Sequence, residues 1–167
     1  VIMLVAMGLV AIYSVDLSRG TELIFFRKQL YAVAVGVVLM LVISFSQNIL
    51  WYNLAKLWYA LTIISLVLVL LFGNTIRGTR GWFALAGFSF QPVEVAKIGL
   101  ILLLAYIITN FGRRFERPLF FFGTALVAFL PVILVLLQPD LGSAILLVCI
   151  WFGLMWEIGA RRLFVVA

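Results

Sequence analysis

The sequence predicts an all-α protein, a polytopic transmembrane helical bundle with about six helices. Of the 167 residues, 66% are hydrophobic and only 11% are charged, whereas a soluble domain is about 45–50% apolar and about 25% charged. The mean hydropathy is +1.29, and six apolar segments approach the ~20 residues needed to cross a bilayer. This composition excludes a soluble globular domain, a disordered chain and a fibrous repeat.

Each apolar segment predicts one membrane span, in the order Val1–Val15, Leu30–Ser46, Leu57–Phe72, Val93–Thr109, Leu119–Leu137 and Leu141–Ile158. The segments are continuously apolar rather than alternating, which favours helices over the strands of a membrane barrel. Because lipid offers no hydrogen-bonding partners, the backbone groups must be satisfied within each segment. No soluble domain, linker or repeat interrupts the segments, so residues 1–167 predict a single transmembrane domain.

The links between the first three segments are short and polar. Residues 16–28 carry both signs of charge, and we interpret Asp16 as a loop charge. Residues 47–56 predict a second short link, in which Trp51 and Tyr52 would anchor the chain at the membrane interface.

The later links differ in character. Residues 73–92 form the longest link, which is rich in Gly, Arg and aromatic residues. Residues 138–140 are so few that the fifth and sixth helices must form a tight hairpin, and Pro131 predicts a kink in the fifth helix. The chain begins and ends within apolar stretches, which predicts a piece of a longer membrane protein, truncated at both ends.

The net charge, the absence of histidine and the single cysteine argue against several kinds of functional site. The net charge is +6, but the basic residues are scattered between apolar runs, which is typical of membrane topology and does not predict a nucleic-acid partner. They are divided almost evenly between the two sides, so they do not settle the orientation. The chain has no His and one Cys, Cys149, which removes the usual proton shuttle and an internal disulfide, and no metal-ligand spacing surrounds this cysteine.

The densest polar cluster contains Arg77, Arg80 and Trp82. Two guanidiniums beside flexible glycines can wrap an anion, and arginine presents a planar fork of donors that suits phosphate. Trp82 could stack on a sugar ring or lie at the level of the lipid headgroups. A solvated loop with an interface tryptophan is the alternative, and the spacing does not decide between them.

The fourth span begins with a second polar cluster, Gln91, Pro92, Glu94 and Lys97. Proline is tolerated in the first turn of a helix, and Glu94 suits the positive end of the helix dipole. Lys97 lies three residues later and can pair with Glu94. An ionisable pair beside the hydrocarbon predicts a cavity or a polar path. The alternative is a helix-end ion pair in which Lys97 reaches to the interface.

Asp140 lies in the third cluster, residues 138–143, directly before the sixth span. Its carboxylate predicts an N-cap that accepts a hydrogen bond from the amide of Gly142 or Ser143. A place in the same polar groove is the alternative.

These clusters resemble the motifs of the shape, elongation, division and sporulation (SEDS) family over nearly the whole chain. The matching residues are Arg80, Trp82, Gln91, Pro92, Glu94, Lys97, Gln138, Pro139, Asp140, Leu141 and Gly142. The chain departs from the family pattern at Gly81, which separates Arg80 from Trp82, and at Val93, which replaces the usual serine. Leu141 is more similar to RodA members than to FtsW members.

The resemblance implies a peptidoglycan glycosyltransferase that polymerises lipid II at the outer face of the bacterial inner membrane, with a role in cell elongation and shape. It implies about ten helices, a cytoplasmic N-terminus and a class B penicillin-binding protein as partner. The family's catalytic aspartate follows the seventh helix, so no catalytic residue is assigned here. No cofactor is assigned either, although a divalent cation could assist the departing pyrophosphate. The expected substrate ligands are Arg77, Arg80, Trp82, Gln91, Glu94, Lys97 and Asp140.

Two other functions stay open. A lipid II flippase or transporter would also carry intramembrane charges and a proline-containing helix. A non-enzymatic scaffold of the cell-wall synthesis complex would explain why these residues include no evident general base or nucleophile.

Overall fold

The computed structural model describes residues 2–20, 23–76, 78–85, 88–111 and 118–159. Its elements are α1 (Ile2–Ser18), α2 (Ile24–Ser44), α3 (Asn48–Phe72), β1 (Asn74–Ile76), β2 (Thr79–Leu85), β3 (Phe88–Phe90), α4 (Pro92–Phe111), α5 (Pro118–Leu136) and α6 (Leu141–Glu157). They divide into two compact units, Val1–Gln47 and Asn48–Ala167, so the single domain stays a prediction.

The six predicted helices are all present within the described residues. Among these, α2, α3, α4 and α5 are long and apolar enough to cross a membrane. Helices α1 and α6 are apolar but have 17 residues each, at the lower end of the range of about 17–25 residues that spans a bilayer.

The first unit is a hairpin of α1 and α2, closed by Asp16. This residue lies within α1 and is fully buried, and its Oδ2 accepts a 2.7 Å hydrogen bond from the backbone N–H of Phe26 in the first turn of α2. The rings of Tyr13 and Phe26 pack edge to face, 5.4 Å apart. The interpretation of Asp16 as a loop charge was wrong: because the N-cap residue Leu23 supplies no side-chain bond, the carboxylate satisfies one of the free N–H groups that begin a helix.

The second unit packs α3, α4, α5 and α6 around one apolar core. Its largest fully buried residues include Leu66, Leu100, Leu104, Leu147 and Met155. Where α3 and α4 meet, Gly99 lies so close to Thr62 that an added Cβ would overlap the threonine hydroxyl. A small residue therefore sets the spacing of these two helices, as is common between membrane helices.

A buried polar contact joins α5 and α6. The indole Nε1 of Trp151 donates to Oγ1 of Thr124 at 3.3 Å, and the same hydroxyl lies 3.5 Å from the sulfur of Met155. Pro131 lies inside α5, and the kink expected there stays a prediction.

Two helices begin earlier than predicted. Helix α3 begins at Asn48 rather than near Leu57, so Trp51 and Tyr52 lie on its first turns and the predicted short link at residues 47–56 was wrong. Helix α2 begins at Ile24 rather than Leu30. Both extensions lack glycine and proline, and charged or aromatic residues at a membrane boundary do not end a helix.

The long link holds a small antiparallel sheet that the sequence did not predict. The strand order is β1-β2-β3, with Thr75 opposite Arg80 and Ala84 opposite Ser89. Gly78, with φ 85, lies in the turn between β1 and β2, a conformation that glycine adopts without strain. The sheet places β2 beside the starts of α4 and α6.

Candidate functional site

An open groove of about 680 Å³ lies between the sheet and the first turns of α4 and α6. Five of the predicted ligands line it: Trp82, Gln91, Glu94, Lys97 and Asp140. They come from the sheet and from the starts of two helices. Trp82 is on β2, Gln91 and Asp140 directly precede α4 and α6, and Glu94 and Lys97 lie in the first turns of α4. The fold therefore brings together side chains that lie up to about sixty positions apart in the sequence, and their role as substrate ligands stays a prediction.

Asp140 joins the starts of α4 and α6. Its Oδ1 accepts from the backbone N–H of Ser143 at 3.0 Å, so the predicted N-cap is present. Its Oδ2 accepts from the Ser143 hydroxyl at 2.7 Å and from Nε2 of Gln91 at 3.2 Å. Hydrogen bonds to a charged acceptor are stronger than neutral ones, so the carboxylate holds this end of the groove in one arrangement.

Glu94 and Lys97 form the predicted pair on the first turns of α4. The Lys97 ammonium donates to Oε1 of Glu94 at 2.8 Å, and the lysine side chain is 20% exposed against 60% for the glutamate. An ion pair this exposed contributes about 0–1 kcal/mol to stability. The pair is therefore weakly held, and a ligand in the groove can compete for the ammonium.

Arg80 does not line the groove. Its Nη2 donates to the carbonyl of Leu71 at 2.9 Å and its Nε to that of Gly73 at 3.3 Å, where the helix dipole of α3 favours a cation. Its backbone N–H donates to the carbonyl of Gln138 at 3.3 Å. The described contacts thus fasten β2 to its neighbours, and substrate binding by Arg80 stays a prediction. Arg77 lies outside the described residues.

Gln138, to which the sequence assigned no role, does not line the groove but lies against β2. Its side chain is 2% exposed, and its Nε2 donates to the backbone carbonyl of Leu66 in α3 at 3.2 Å. A Cβ at Gly81 would come within 3.2 Å of Oε1 of Gln138. Gly81, one of the two departures from the family pattern, therefore allows β2 to pass directly over the buried amide. The signal in the sequence was a glutamine at an apolar helix end, where a polar group is costly unless it is bonded.

The family model named for FtsW, RodA and SpoVE, described as cell cycle protein, matches residues 1–167. The chain belongs to this family. The predicted SEDS resemblance is thereby confirmed, and family membership together with the apolar helices makes this a multi-pass membrane protein.

The curated relatives include several proteins called probable peptidoglycan glycosyltransferase FtsW. That of Mycobacterium tuberculosis is 32% identical over 94% of this chain and 32% of its own length. That of Thiomicrospira cyclica is 31% identical over 99% of this chain and 45% of its own length. The chain thus spans a third to somewhat under a half of these relatives.

Solved structures share the same fold. One is a peptidoglycan synthase complex in which polymerization and crosslinking are coordinated, with 32% identity, a TM-score of 0.81, and coverage of 98% of this chain and 49% of that one. Another is the rod shape determining protein RodA of Thermus thermophilus, with 31% identity, a TM-score of 0.78, and coverage of 95% and 52%. These likenesses confirm the all-α transmembrane prediction. Because FtsW and RodA both occur among the relatives, they do not decide between the two.

Proposed function

We propose that the chain is part of a peptidoglycan glycosyltransferase that polymerises lipid II at the outer face of the bacterial inner membrane. The observation that carries this proposal is the groove, in which Trp82, Glu94, Lys97 and Asp140 meet at one end of an apolar bundle. The names of the curated relatives support the activity. The synthase complex supports a crosslinking partner, a class B penicillin-binding protein.

The lining suits each part of lipid II, which carries a pyrophosphate, two sugars and a long prenyl tail. The Lys97 ammonium can bind a phosphate oxygen, and Trp82 can stack on a sugar face. Leu146, an exposed apolar residue of the lining, can contact the prenyl chain where the groove opens toward α6. The groove thus offers one polar and one apolar surface to an amphiphile.

The charge of the groove constrains how a pyrophosphate could bind. Its described lining has two carboxylates, Glu94 and Asp140, and one ammonium, Lys97. A pyrophosphate must therefore displace Glu94 from Lys97 or bring positive charge with it. A divalent cation bound to the pyrophosphate would supply that charge, although no cluster of three metal-ligating side chains occurs among the residues described here.

In the transfer, the acceptor hydroxyl attacks the anomeric carbon, the bond from that carbon to the pyrophosphate oxygen breaks, and the hydroxyl proton passes to a general base. The family resemblance implies a catalytic aspartate after the seventh helix, and we infer that Lys97 and its neighbours bind and orient the pyrophosphate end.

A role in cell elongation and shape is the finer part of the proposal, and it rests on Leu141 in the RodA-like motif. Complementation distinguishes the two roles: the full-length protein should restore rod shape to cells that lack RodA. Rescue of septation in cells that lack FtsW, without rescue of shape, would assign the protein to division.

Polymerisation of purified lipid II by the full-length protein with its penicillin-binding partner tests the activity. We expect glycan strands with the unaltered protein and a loss of product with Lys97→Ala. If lipid II binds but no polymer forms under any condition, the protein is a scaffold. If lipid II crosses liposome leaflets and Lys97→Ala stops this movement, the protein is a flippase.

A further inference from the structure

A second cavity, of about 310 Å³, lies between α3 and α4 at the end remote from the groove. We call it the interfacial notch and define it by Asn48, Trp51, Tyr52, Ala105, Tyr106 and Thr109. Along α4, Tyr106 lies about 18 Å beyond Glu94, at 1.5 Å per residue. The notch therefore lies toward the other end of α4 from the groove and is a separate site.

The walls of the notch are aromatic and held in place. The rings of Tyr52 and Tyr106 lie 4.8 Å apart, and the Tyr52 hydroxyl donates to Oδ1 of Asn110 at 2.9 Å. The amide of Asn110 donates in turn to the carbonyl of Tyr106 at 2.8 Å. Since these contacts already order the side chains, a ligand meets a preformed surface. Tyrosine and tryptophan near the ends of membrane-spanning helices are typical of the headgroup region.

A cation lies at the edge of the notch. The Lys56 ammonium is 4.9 Å from the centroid of the Tyr106 ring. It has no carboxylate partner among the residues that the structure describes, and the one carboxylate of α3 and α4, Glu94, is at their other end. A contact with a ring face leaves the N–H groups on the far side of the ammonium available to an anion.

We propose that the interfacial notch binds the headgroup of an anionic phospholipid. The phosphate accepts hydrogen bonds from Lys56, and the glycerol backbone lies against Tyr52 and Tyr106. A single exposed ammonium holds a free phosphate weakly in water, so the aromatic walls point to a ligand that also presents apolar surface and is already concentrated at the membrane. Ala105 keeps the notch open because its side chain is small.

Retention of phosphatidylglycerol tests the proposal. The full-length protein is reconstituted with mixed phosphatidylglycerol and phosphatidylcholine, and retained lipids are counted by native mass spectrometry. Lys56→Gln removes the charge and Ala105→Leu fills the notch, so each should abolish the preferential retention of phosphatidylglycerol. Lys56→Arg and Ala105→Ser are the matched controls and should keep it, and Lys28→Gln, which removes a charge from α2, should also keep it.

Unchanged retention in both Lys56→Gln and Ala105→Leu would overturn the proposal. Equal displacement of the lipid by soluble glycerol 1-phosphate would also overturn it, because the ligand would then be a phosphate and not a lipid. Unfolding temperatures in phosphatidylcholine alone, where no anionic headgroup is present, should be the same for all variants. A lower value for Lys56→Gln or Ala105→Leu there would assign the residue to stability instead.

Discussion

Lys97 and Glu94 form an ion pair that is too exposed to contribute much to the stability of the fold. Replacing either residue by alanine should change the free energy of unfolding by less than about 1 kcal/mol. Lys97→Ala should lower the polymerisation rate about tenfold or more, because a hydrogen bond to a charged group is worth about 1.5–3 kcal/mol. Glu94→Ala should also lower the rate when the pyrophosphate brings a divalent cation, because the carboxylate would then contact that cation. Glu157→Ala, on an exposed residue at the end of α6, is the control, and equal rates for all three variants would remove the case for the groove.

Arg80 offers a second test because its guanidinium contacts backbone carbonyls. Arg80→Ala should lower the free energy of unfolding by about 1 kcal/mol, which is below the usual range for charged hydrogen bonds because the side chain is exposed. Lipid II affinity should fall with it, through loosening of β2. If affinity falls while thermal unfolding is unchanged, Arg80 binds the substrate directly, as its residue type first suggested.

Gly81 and Gln138 show how a departure from a family pattern can have a local cause. Gly81→Ala places a methyl group 3.2 Å from the Gln138 amide oxygen, and such overpacking costs about 1–3 kcal/mol. We expect a lower unfolding temperature for Gly81→Ala in the unaltered protein and a smaller decrease when the same change is made in the Gln138→Ala background, because the smaller side chain makes room. An equal decrease in both backgrounds would show that the contact does not limit the position of β2.

The spacing of α3 and α4 depends on Gly99. Gly99→Ala should lower the free energy of unfolding by about 1–3 kcal/mol, since the new methyl group would overlap the Thr62 hydroxyl. Gly153→Ala in α6 is the matched control, because nothing lies within 4 Å of its added Cβ, and it should be neutral or stabilising. Thermal unfolding in detergent measures both, and equal midpoints would contradict the close packing.

The hairpin of α1 and α2 depends on the hydrogen bond that Asp16 accepts from Phe26. Asp16→Ala leaves the part-buried Phe26 N–H without its acceptor, which costs about 1 kcal/mol, the low end for a buried donor. Hydrogen exchange at the Phe26 amide should therefore accelerate, while amides of α4 stay protected. Asp16→Asn keeps an oxygen acceptor and should exchange more slowly than Asp16→Ala; the same rate for both would mean that the bond does not close the hairpin.

Hydropathy located all six helices, because a backbone N–H or C=O group without a hydrogen bond is costly in lipid. A long apolar segment therefore has few alternatives to a helix. It placed the starts of α2 and α3 too late, since a helix continues past the hydrocarbon edge wherever no glycine or proline ends it. The sheet escaped prediction because β1 and β3 have three residues each, too few for an alternating pattern to stand out.

The contacts of the candidate site were also predicted only in part. Residue type and local spacing predicted the Glu94–Lys97 pair and the Asp140 cap, which are contacts within one helix turn. The bond between Gln91 and Asp140 and the burial of Gln138 depend on how separate helices pack, and no local pattern carries that information. The sequence predicted that Arg80 binds an anion, because its guanidinium suits phosphate. In the structure, N–H groups of the same guanidinium donate to the carbonyls of Leu71 and Gly73 at the end of α3.

Within the second unit, the two cavities lie toward opposite ends of α3 and α4. The groove has a carboxylate excess and the β2 residue Trp82 in its lining, whereas the interfacial notch has tyrosine walls and one cation at its edge. This separation predicts that changes at Lys56 alter lipid dependence and leave lipid II affinity in phosphatidylcholine unchanged. Binding of labelled lipid II to the Lys56→Gln variant measures this, and a fall in affinity would mean that the two sites are coupled.

Photocrosslinking of lipid II tests the central claim most directly. A photoreactive phenylalanine analogue at Leu146 lies in the groove lining, whereas the same analogue at Leu126, an exposed residue of α5 outside that lining, samples only general lipid contact. We predict a lipid II adduct at Leu146 that Lys97→Ala weakens, and little adduct at Leu126. Equal crosslinking at the two positions, unaffected by Lys97→Ala, would contradict the account.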